Sequence, residues 1–174
     1  MFSVNEEARS IPPSSYFLII LTLIILVFIL FPVKTLVAVD NDSGDVLGVW
    51  RIKEGSSVSI RYTHSVERTD VTEKYIIRNN NLVLMEEHFS SFGAGLPADN
   101  TYPFKITEDG FVIYDINKTI YDLIYRTGAV RANHILIIDN KEINFTEFSV
   151  PRQAVLFGIK NTILLKYLLR GWRV

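Results

Sequence analysis

Residues 57–78 read SVSIRYTHSVERTDVTEKYIIR, and this stretch decides the class of fold. From Val58 to Val66 every second side chain is apolar or aromatic, and residues 71–78 largely repeat this alternation. Alternate side chains of a β-strand point to the same face, so each half predicts a strand with one buried face. The polar residues 67–70 between them predict the loop of an antiparallel hairpin.

The hairpin predicts which side chains face each other across the two strands. With this loop, Ile60 lies opposite Ile77, and His64 lies directly opposite Glu73. Directly opposed side chains have their Cβ atoms about 4.5–5.5 Å apart, so we expect His64 and Glu73 to be in contact. Ser65 points to the other face and therefore forms no nucleophile–base pair with its neighbour.

A third predicted strand, at 82–89, brings a further carboxylate to this face, either Glu86 or Glu87 depending on its register. The resulting cluster with His64 and Glu73 has three interpretations. It is a structural cluster that determines strand register, a site for a ligand or partner, or a metal or acid–base site. Zinc would require another converging ligand, so no metal is assigned.

The rest of the central region has the same character, with short runs rich in β-branched and aromatic residues separated by Asn, Asp and Gly. The predicted strands are residues 36–40, 46–53, 57–66, 71–78, 82–89, 104–107, 111–116, 120–125, 134–138 and 142–148. Many short antiparallel strands at this spacing predict an all-β domain, a sandwich or a barrel-like fold, over residues 38–150.

The N-terminal region predicts a membrane anchor. Residues 10–33 contain no charged side chain, and about 20 apolar residues in a helix cross a hydrocarbon core of about 30 Å. We predict a leader over 1–13 and a transmembrane helix over 14–37, with Tyr16 and Phe31 at the interfaces. A core helix would show one polar face, and a cleaved signal peptide would show a basic leader and a cleavage site; neither is found.

The C-terminal segment, 151–174, is apolar and amphipathic. A helix over 162–170 would place Lys166 and Arg170 on one polar stripe, with Trp172 just beyond its end. Such a helix suits a membrane interface or a membrane partner. A final strand or helix that completes the β-domain core is the equal alternative, because so short an apolar run does not determine its own conformation.

Composition and motifs exclude several classes of function. The net charge of -1 favours no nucleic-acid partner, and the chain has no cysteine for disulfides or thiol chemistry. The sequence contains no G-x-S-x-G, H-E-x-x-H, phosphate-binding loop or dinucleotide fingerprint. We therefore expect no enzyme activity, no catalytic residue and no cofactor.

Three motifs in order, YTHSV at 62–66, VTEKY at 71–75 and GAGLP at 93–97, resemble successive signatures of the domain of unknown function 1850 family. The resemblance covers roughly residues 36–148. The motif positions that carry over are His64, Ser65, Val66, Glu73, Gly93, Gly95, Leu96 and Pro97. All of these except Val66, together with Glu86 and Glu87, form the expected ligand or partner site.

The resemblance implies a membrane protein encoded beside tripartite ATP-independent periplasmic (TRAP) transporters that use a TAXI-type solute-binding protein. The expected function is a single-pass accessory subunit, with the lipid bilayer, the TRAP membrane subunits and the solute-binding protein as partners. Its N-terminus is expected in the cytoplasm and its β-domain outside the cytoplasmic membrane. The alternative is a membrane-tethered β-domain that binds a small ligand or metal independently of a transporter.

Overall fold

Two antiparallel sheets stack face to face in the computed structural model, which describes residues 12–64, 68–90, 101–128 and 133–170. In chain order the elements are α1 (Pro13–Ile29), β1 (Pro32–Asp40), β2 (Val46–Ile52), β3 (Ser57–Thr63), β4 (Asp70–Arg78), β5 (Asn81–Phe89), β6 (Phe104–Thr107), β7 (Gly110–Ile113), β8 (Lys118–Ile120), β9 (Leu123–Arg126), β10 (Ile135–Ile138), β11 (Lys141–Asn144), a 3₁₀ helix (Phe145–Glu147), β12 (Ala154–Ile163) and α2 (Leu164–Arg170).

The smaller sheet has the strand order β2–β1–β12–β9, and the larger sheet has the order β11–β10–β3–β4–β5–β7–β6, with β8 paired to β5. The prediction of an all-β antiparallel domain is confirmed, in its sandwich-like form. Every predicted strand overlaps a strand of the structure. The prediction over 142–148 is too long, because the chain turns into the 3₁₀ helix where Asn144 and Glu147 form a capping box.

The core lies between the two sheets, where the alternating apolar side chains of both inner faces meet. Its most deeply buried members are Leu36, Val155 and Phe157 of the smaller sheet and Val58, Ile60, Val71, Tyr75, Ile77 and Leu136 of the larger one. An aromatic group extends this core, since the Trp50 and Phe148 ring centroids are 5.0 Å apart. Burial of this kind supplies most of the stability of such a domain.

The N-terminal helix differs from the prediction. We expected a helix over 14–37, but α1 has 17 residues and ends at Ile29. Residues 32–37 belong to β1 instead, because all of them pair with β12 and residues 34–37 also pair with β2. None of the helices formed by the described residues is both long and apolar enough to span a membrane. The predicted transmembrane helix is therefore not found, and the sandwich begins at Pro32 rather than at residue 38.

The C-terminal segment is part strand and part helix. β12 pairs with both β1 and β9, so it is an interior strand of the smaller sheet and extends the domain beyond its predicted end at 150. The predicted helix starts later than expected, at Leu164, and packs over the outer face of the smaller sheet. Lys166 and Tyr167 line a small cleft there, of about 140 Å³, together with Thr35 and Val37.

The two helices lie at the same end of the sandwich. Pro32 at the start of β1 pairs with Ile163 at the end of β12, and the Leu164 N–H donates to the Phe31 carbonyl at 2.9 Å. We call this end the helix pole. The opposite end of β1, at Asp40, is about 26 Å away at about 3.3 Å per residue, and we call it the distal pole.

The β3–β4 hairpin has a different register from the predicted one. The structure pairs Ile60 with Glu73 and Thr63 with Asp70, which is an offset of four residues. The connection is longer than expected, because the His64 N–H donates to the Thr69 carbonyl and the Arg68 N–H to the His64 carbonyl. An even offset keeps every side chain on its predicted face but changes its neighbour across the strand pair.

Candidate functional site

One carboxylate near the distal pole accepts hydrogen bonds from three tyrosines. The Tyr62 hydroxyl donates to Glu73 Oε1 at 3.3 Å, and the Tyr75 and Tyr125 hydroxyls both donate to Glu73 Oε2. The Tyr75 and Tyr125 hydroxyls are also 3.1 Å apart. Because bonds to an ionised acceptor are stronger than neutral ones, this network joins the two sheets at a half-buried charge.

The local sequence explains this convergence. Tyr62 in β3 and Glu73 and Tyr75 in β4 occupy alternate positions of adjacent strands, so all three side chains point into the sandwich. Tyr125 comes from the smaller sheet, where its partner across the strand pair is Val155, close to the distal end of β1. Its hydroxyl therefore reaches Glu73 across the gap between the sheets.

The tyrosines remain neutral donors. Burial first, and then the charge of Glu73, raise the pKa of Tyr62 and of Tyr75. Burial also raises the pKa of Tyr125, reinforced by Tyr75 and Glu73. A phenol whose pKa is raised is a weak nucleophile and cannot serve as a general base near neutral pH. The arrangement is therefore suited to holding a carboxylate or recognising a partner.

Glu87 completes the group, which we call the carboxylate–tyrosine cluster: Tyr62, Glu73, Tyr75, Glu87 and Tyr125. Glu87 lies directly across the β4–β5 pair from Glu73. Burial first, and then the charge of Glu73, raise the pKa of Glu87, while Lys118 opposes the shift. Among the described residues nothing forms a hydrogen bond with the Glu87 side chain. Two adjacent carboxylates thus have unequal environments, one satisfied by phenols and one not.

Glu86 points to the opposite face of the larger sheet. Its carboxylate lies 3.2 Å from Lys74 Nζ and 2.8 Å from His88 Nε2. His88 first, then Lys74, lower the pKa of Glu86 against the opposing effect of partial burial. We call these three residues the outer cluster. Of the two glutamates that the sequence left open, Glu87 is therefore the one that joins the inner face.

His134 was not predicted as a site residue, yet it borders the cluster. Its ring stacks on Tyr62 with centroids 5.4 Å apart and meets the Tyr125 ring edge-on at 6.0 Å. Burial lowers the pKa of His134, which favours the neutral imidazole. The sequence offered only a weak signal for Tyr125 and His134, a polar aromatic residue at the end of a predicted strand. It did not show that these two strand ends meet.

The predicted register that places His64 directly opposite Glu73 is wrong, because Ile60 occupies that position and His64 lies beyond the end of β3. Tyr16 and Phe31 are 53% and 55% exposed, and Lys166 lines the small cleft beside α2. The described residues contain no group of three His, Cys, Asp or Glu side chains that could hold a metal ion. The predicted positions outside the described residues are Ser65, Val66, Gly93, Gly95, Leu96, Pro97, Trp172 and the side chain of Arg170.

The family model for Domain of unknown function (DUF1850) matches residues 58–145, half of the chain. The chain belongs to this family. Membership of DUF1850 confirms the resemblance seen in the sequence motifs, and the family description assigns no function. No curated protein and no solved structure matches the chain.

The DUF1850 match begins in β3 and ends just after β11. It therefore covers the larger sheet, including β8, and one strand of the smaller sheet, β9. All five members of the carboxylate–tyrosine cluster and His134 lie within it. Both helices and the strands β1, β2 and β12 lie outside it. The part of the chain that carries the DUF1850 pattern is thus the part that builds the cluster.

Proposed function

We propose that the chain is a membrane-anchored accessory subunit of a TAXI-type TRAP transporter. In this proposal α1 holds the protein against the membrane-embedded transport subunits. The β-domain lies outside the cytoplasmic membrane and contributes to docking of the solute-binding protein. The observation that carries the proposal is the separation of two surfaces, an apolar helix at one pole and a polar aromatic cluster near the other.

The surface of α1 supports an attachment role. Its large apolar side chains between Tyr16 and Phe28 are 42–68% exposed on all sides of the helix. The hydroxyl of Thr22 donates to the Leu18 carbonyl at 2.8 Å, so the middle of the helix presents no unsatisfied polar group. Exposed apolar patches of this extent are rare in water and mark contact with lipid or a partner protein.

The edge of the larger sheet supports docking at the distal pole. All residues of β6 are exposed, including Phe104 at 54% and Ile106 at 69%. These side chains share the inner face of β7, where their partners across the strand pair are Ile113 and Phe111. Apolar and aromatic side chains beside an open strand edge suit recognition of a partner through both side chains and backbone.

Co-purification tests the proposal. The full chain, tagged and extracted from its native membrane in mild detergent, is expected to retain the transport subunits and the solute-binding protein. Ile106→Asp should reduce retention of the solute-binding protein about tenfold while the transport subunits remain bound. Ile124→Asp, on the exposed edge of the smaller sheet, is the matched control and should change neither. If neither partner is retained and uptake is intact after deletion of the gene, the proposal is wrong.

A second candidate function is a tethered domain that binds a small cationic ligand, independent of any transporter. It is favoured by the half-buried Glu87 carboxylate, which points inward without a hydrogen bond to a described residue. Calorimetry of the full chain in detergent, with simple amines and with divalent cations, measures such binding. Glu87→Gln should remove the heat, and Glu86→Gln should leave it unchanged. An absence of heat with the unsubstituted chain would reject this candidate.

A further inference from the structure

The helix pole carries basic side chains on both faces of the smaller sheet. Lys34, Arg51 and Lys53 line an open cleft of about 440 Å³ between the ends of the two sheets. On the outer face, Lys160 and Lys166 line the small cleft beneath α2. We call these five residues the basic collar. Four of them lie in or directly after the strands β1, β2 and β12, and Lys166 lies in α2. The pairing of β1 with β2 and β12 brings them together.

The neighbouring acidic residues do not neutralise this collar. Glu54 is bound to Lys34 at 2.6 Å and also accepts the Asn79 N–H at 2.7 Å, and both contacts lower the pKa of Glu54, that of Lys34 foremost. Asp139 accepts hydrogen bonds from the Ser56 hydroxyl and the Ser57 N–H, both at 2.9 Å. Within the described part of the chain, the other four basic residues of the collar form no salt bridge. The collar therefore keeps an excess of positive charge.

At the opposite end of the sandwich, acidic side chains outnumber the exposed cations Arg126 and Arg152. Asp40, Asp42 and Asp45 lie at the β1–β2 turn of the distal pole, and Glu73 and Glu87 lie near the same end. The whole chain is almost neutral, with a net charge of -1. The positive collar therefore results from an uneven distribution of charges along the long axis and not from an overall excess of basic residues. Such a dipolar distribution orients a protein at a charged surface.

The collar lies at the end of the sandwich from which both helices extend. β1 follows α1 after two residues, and α2 follows β12 directly. Leu165, Leu168 and Leu169 of α2 are 40–71% exposed beside the collar. Apolar side chains next to lysine and arginine form the pattern of a membrane interface, where the aliphatic groups enter the acyl region and the cations meet headgroup phosphates.

We infer that the basic collar binds the headgroup phosphates of anionic phospholipids and so fixes the orientation of the β-domain on the membrane. The inference rests on the proposed function, because it names the lipid partner of the same attachment. The continuity of the collar with two exposed apolar helices selects a lipid surface over an acidic protein, which would have no use for those helices. The distal pole, with its acidic turn and the carboxylate–tyrosine cluster, then points away from an anionic bilayer.

Vesicle flotation of the full chain tests the inference. Vesicles of phosphatidylcholine alone are compared with vesicles that contain phosphatidylglycerol as well. The chain should partition more strongly to the anionic vesicles, and added salt should reduce the difference. Arg51→Glu with Lys53→Glu should lower the partition to anionic vesicles about tenfold and leave neutral vesicles unaffected. Arg126→Glu with Arg152→Glu, two exposed cations at the distal pole, carries the same charge change and should have no effect.

The neutral pair Arg51→Gln with Lys53→Gln guards against a folding defect and should give a smaller loss in the same direction. Circular dichroism should show the same β-sheet content for all variants. Equal partition to both vesicle types, or an equal loss in the distal control, would overturn the inference. A chain that floats with anionic vesicles but never retains transport subunits would support the collar and reject the transporter. If the unsubstituted chain shows no lipid preference and the Arg51/Lys53 variants still retain the transport subunits, the transporter proposal is supported and the collar is rejected.

Discussion

Glu86 and Glu87 are neighbours in β5, yet the two faces of the larger sheet treat them in opposite ways. On the outer face, Lys74 and His88 lower the pKa of Glu86. On the inner face, burial and the nearby charge of Glu73 raise the pKa of Glu87. The two pKa shifts have opposite directions because successive side chains of a strand point to opposite faces and so have different neighbours. Ionisation of Glu86 adds to stability, whereas ionisation of Glu87 opposes it.

The largest effect should come from Glu73, the hydrogen-bond acceptor at the centre of the carboxylate–tyrosine cluster. Glu73→Ala removes the only carboxylate bonded by Tyr62, Tyr75 and Tyr125 among the described residues. Buried hydroxyls then lose a charged acceptor, which should lower the free energy of unfolding by about 3 kcal/mol. Urea unfolding of the full chain in mild detergent, followed by circular dichroism, measures the change.

Glu86→Ala is the matched control on the outer face and should lower the free energy of unfolding by less than about 1 kcal/mol. The comparison would fail if both alanine variants lost the same stability. In that case the Glu73 carboxylate would contribute no more than an exposed ion pair, and the tyrosine hydroxyls would have other acceptors.

Among the tyrosine donors of the carboxylate–tyrosine cluster, the loss of stability on removing a hydroxyl should increase with burial. Tyr125→Phe removes a hydroxyl that is bonded to Glu73 and near Tyr75, on a residue only 9% exposed. We expect a loss of about 2 kcal/mol, because this bond goes to a charged group. Tyr62→Phe removes a longer bond on a half-buried residue and should cost about 0.5 kcal/mol. Thermal unfolding of the two variants checks the order, and equal losses would contradict it.

Much of the sandwich was predictable from local pattern. The alternation in 57–78 correctly placed Tyr62, Glu73 and Tyr75 on the buried face, because strand periodicity depends only on the order of residues. The register was not predictable, since an offset of four residues preserves the same apolar faces. The register of the β3–β4 hairpin depends on the length of the connection after His64, and the sequence of the two strands does not determine that length.

Other features depended on contacts between distant segments. The ladder between β4 and β5 is irregular after Lys74, so Leu84 and Glu87 share the inner face although they are three residues apart. A strict alternation cannot produce that arrangement. The apolar run at 14–37 satisfied the length rule for an anchor, but its last residues form β1 because β12 supplies a pairing partner from the far end of the chain.

Glu87→Gln tests the inner face through pH. The pKa of Glu87 is raised above its ordinary value of 4.5, so the folded state holds the proton more tightly than the unfolded state. Its contribution is therefore complete below pH 4.5 and is lost as the pH rises through the raised pKa. The glutamine variant should be more stable by about 0.5 kcal/mol at pH 7, because it removes a like charge opposite Glu73. Its free energy of unfolding should decline less above pH 4.5; an unchanged slope would contradict the assignment.

Glu86→Gln should give the smallest effect and the opposite pH dependence. The pKa of Glu86 is lowered, so its contacts with His88 and Lys74 stabilise the folded state above pH 4.5 and are lost as the pH falls through the lowered value. With the Glu86 and Lys74 side chains 37% and 42% exposed, solvent screening limits the loss at pH 7 to about 0.3 kcal/mol. That loss should disappear in 1 M salt, whereas the gain from Glu87→Gln should largely remain, because salt screens half-buried charges less. If salt abolished both effects equally, the two faces of the sheet would not differ in the way their environments indicate.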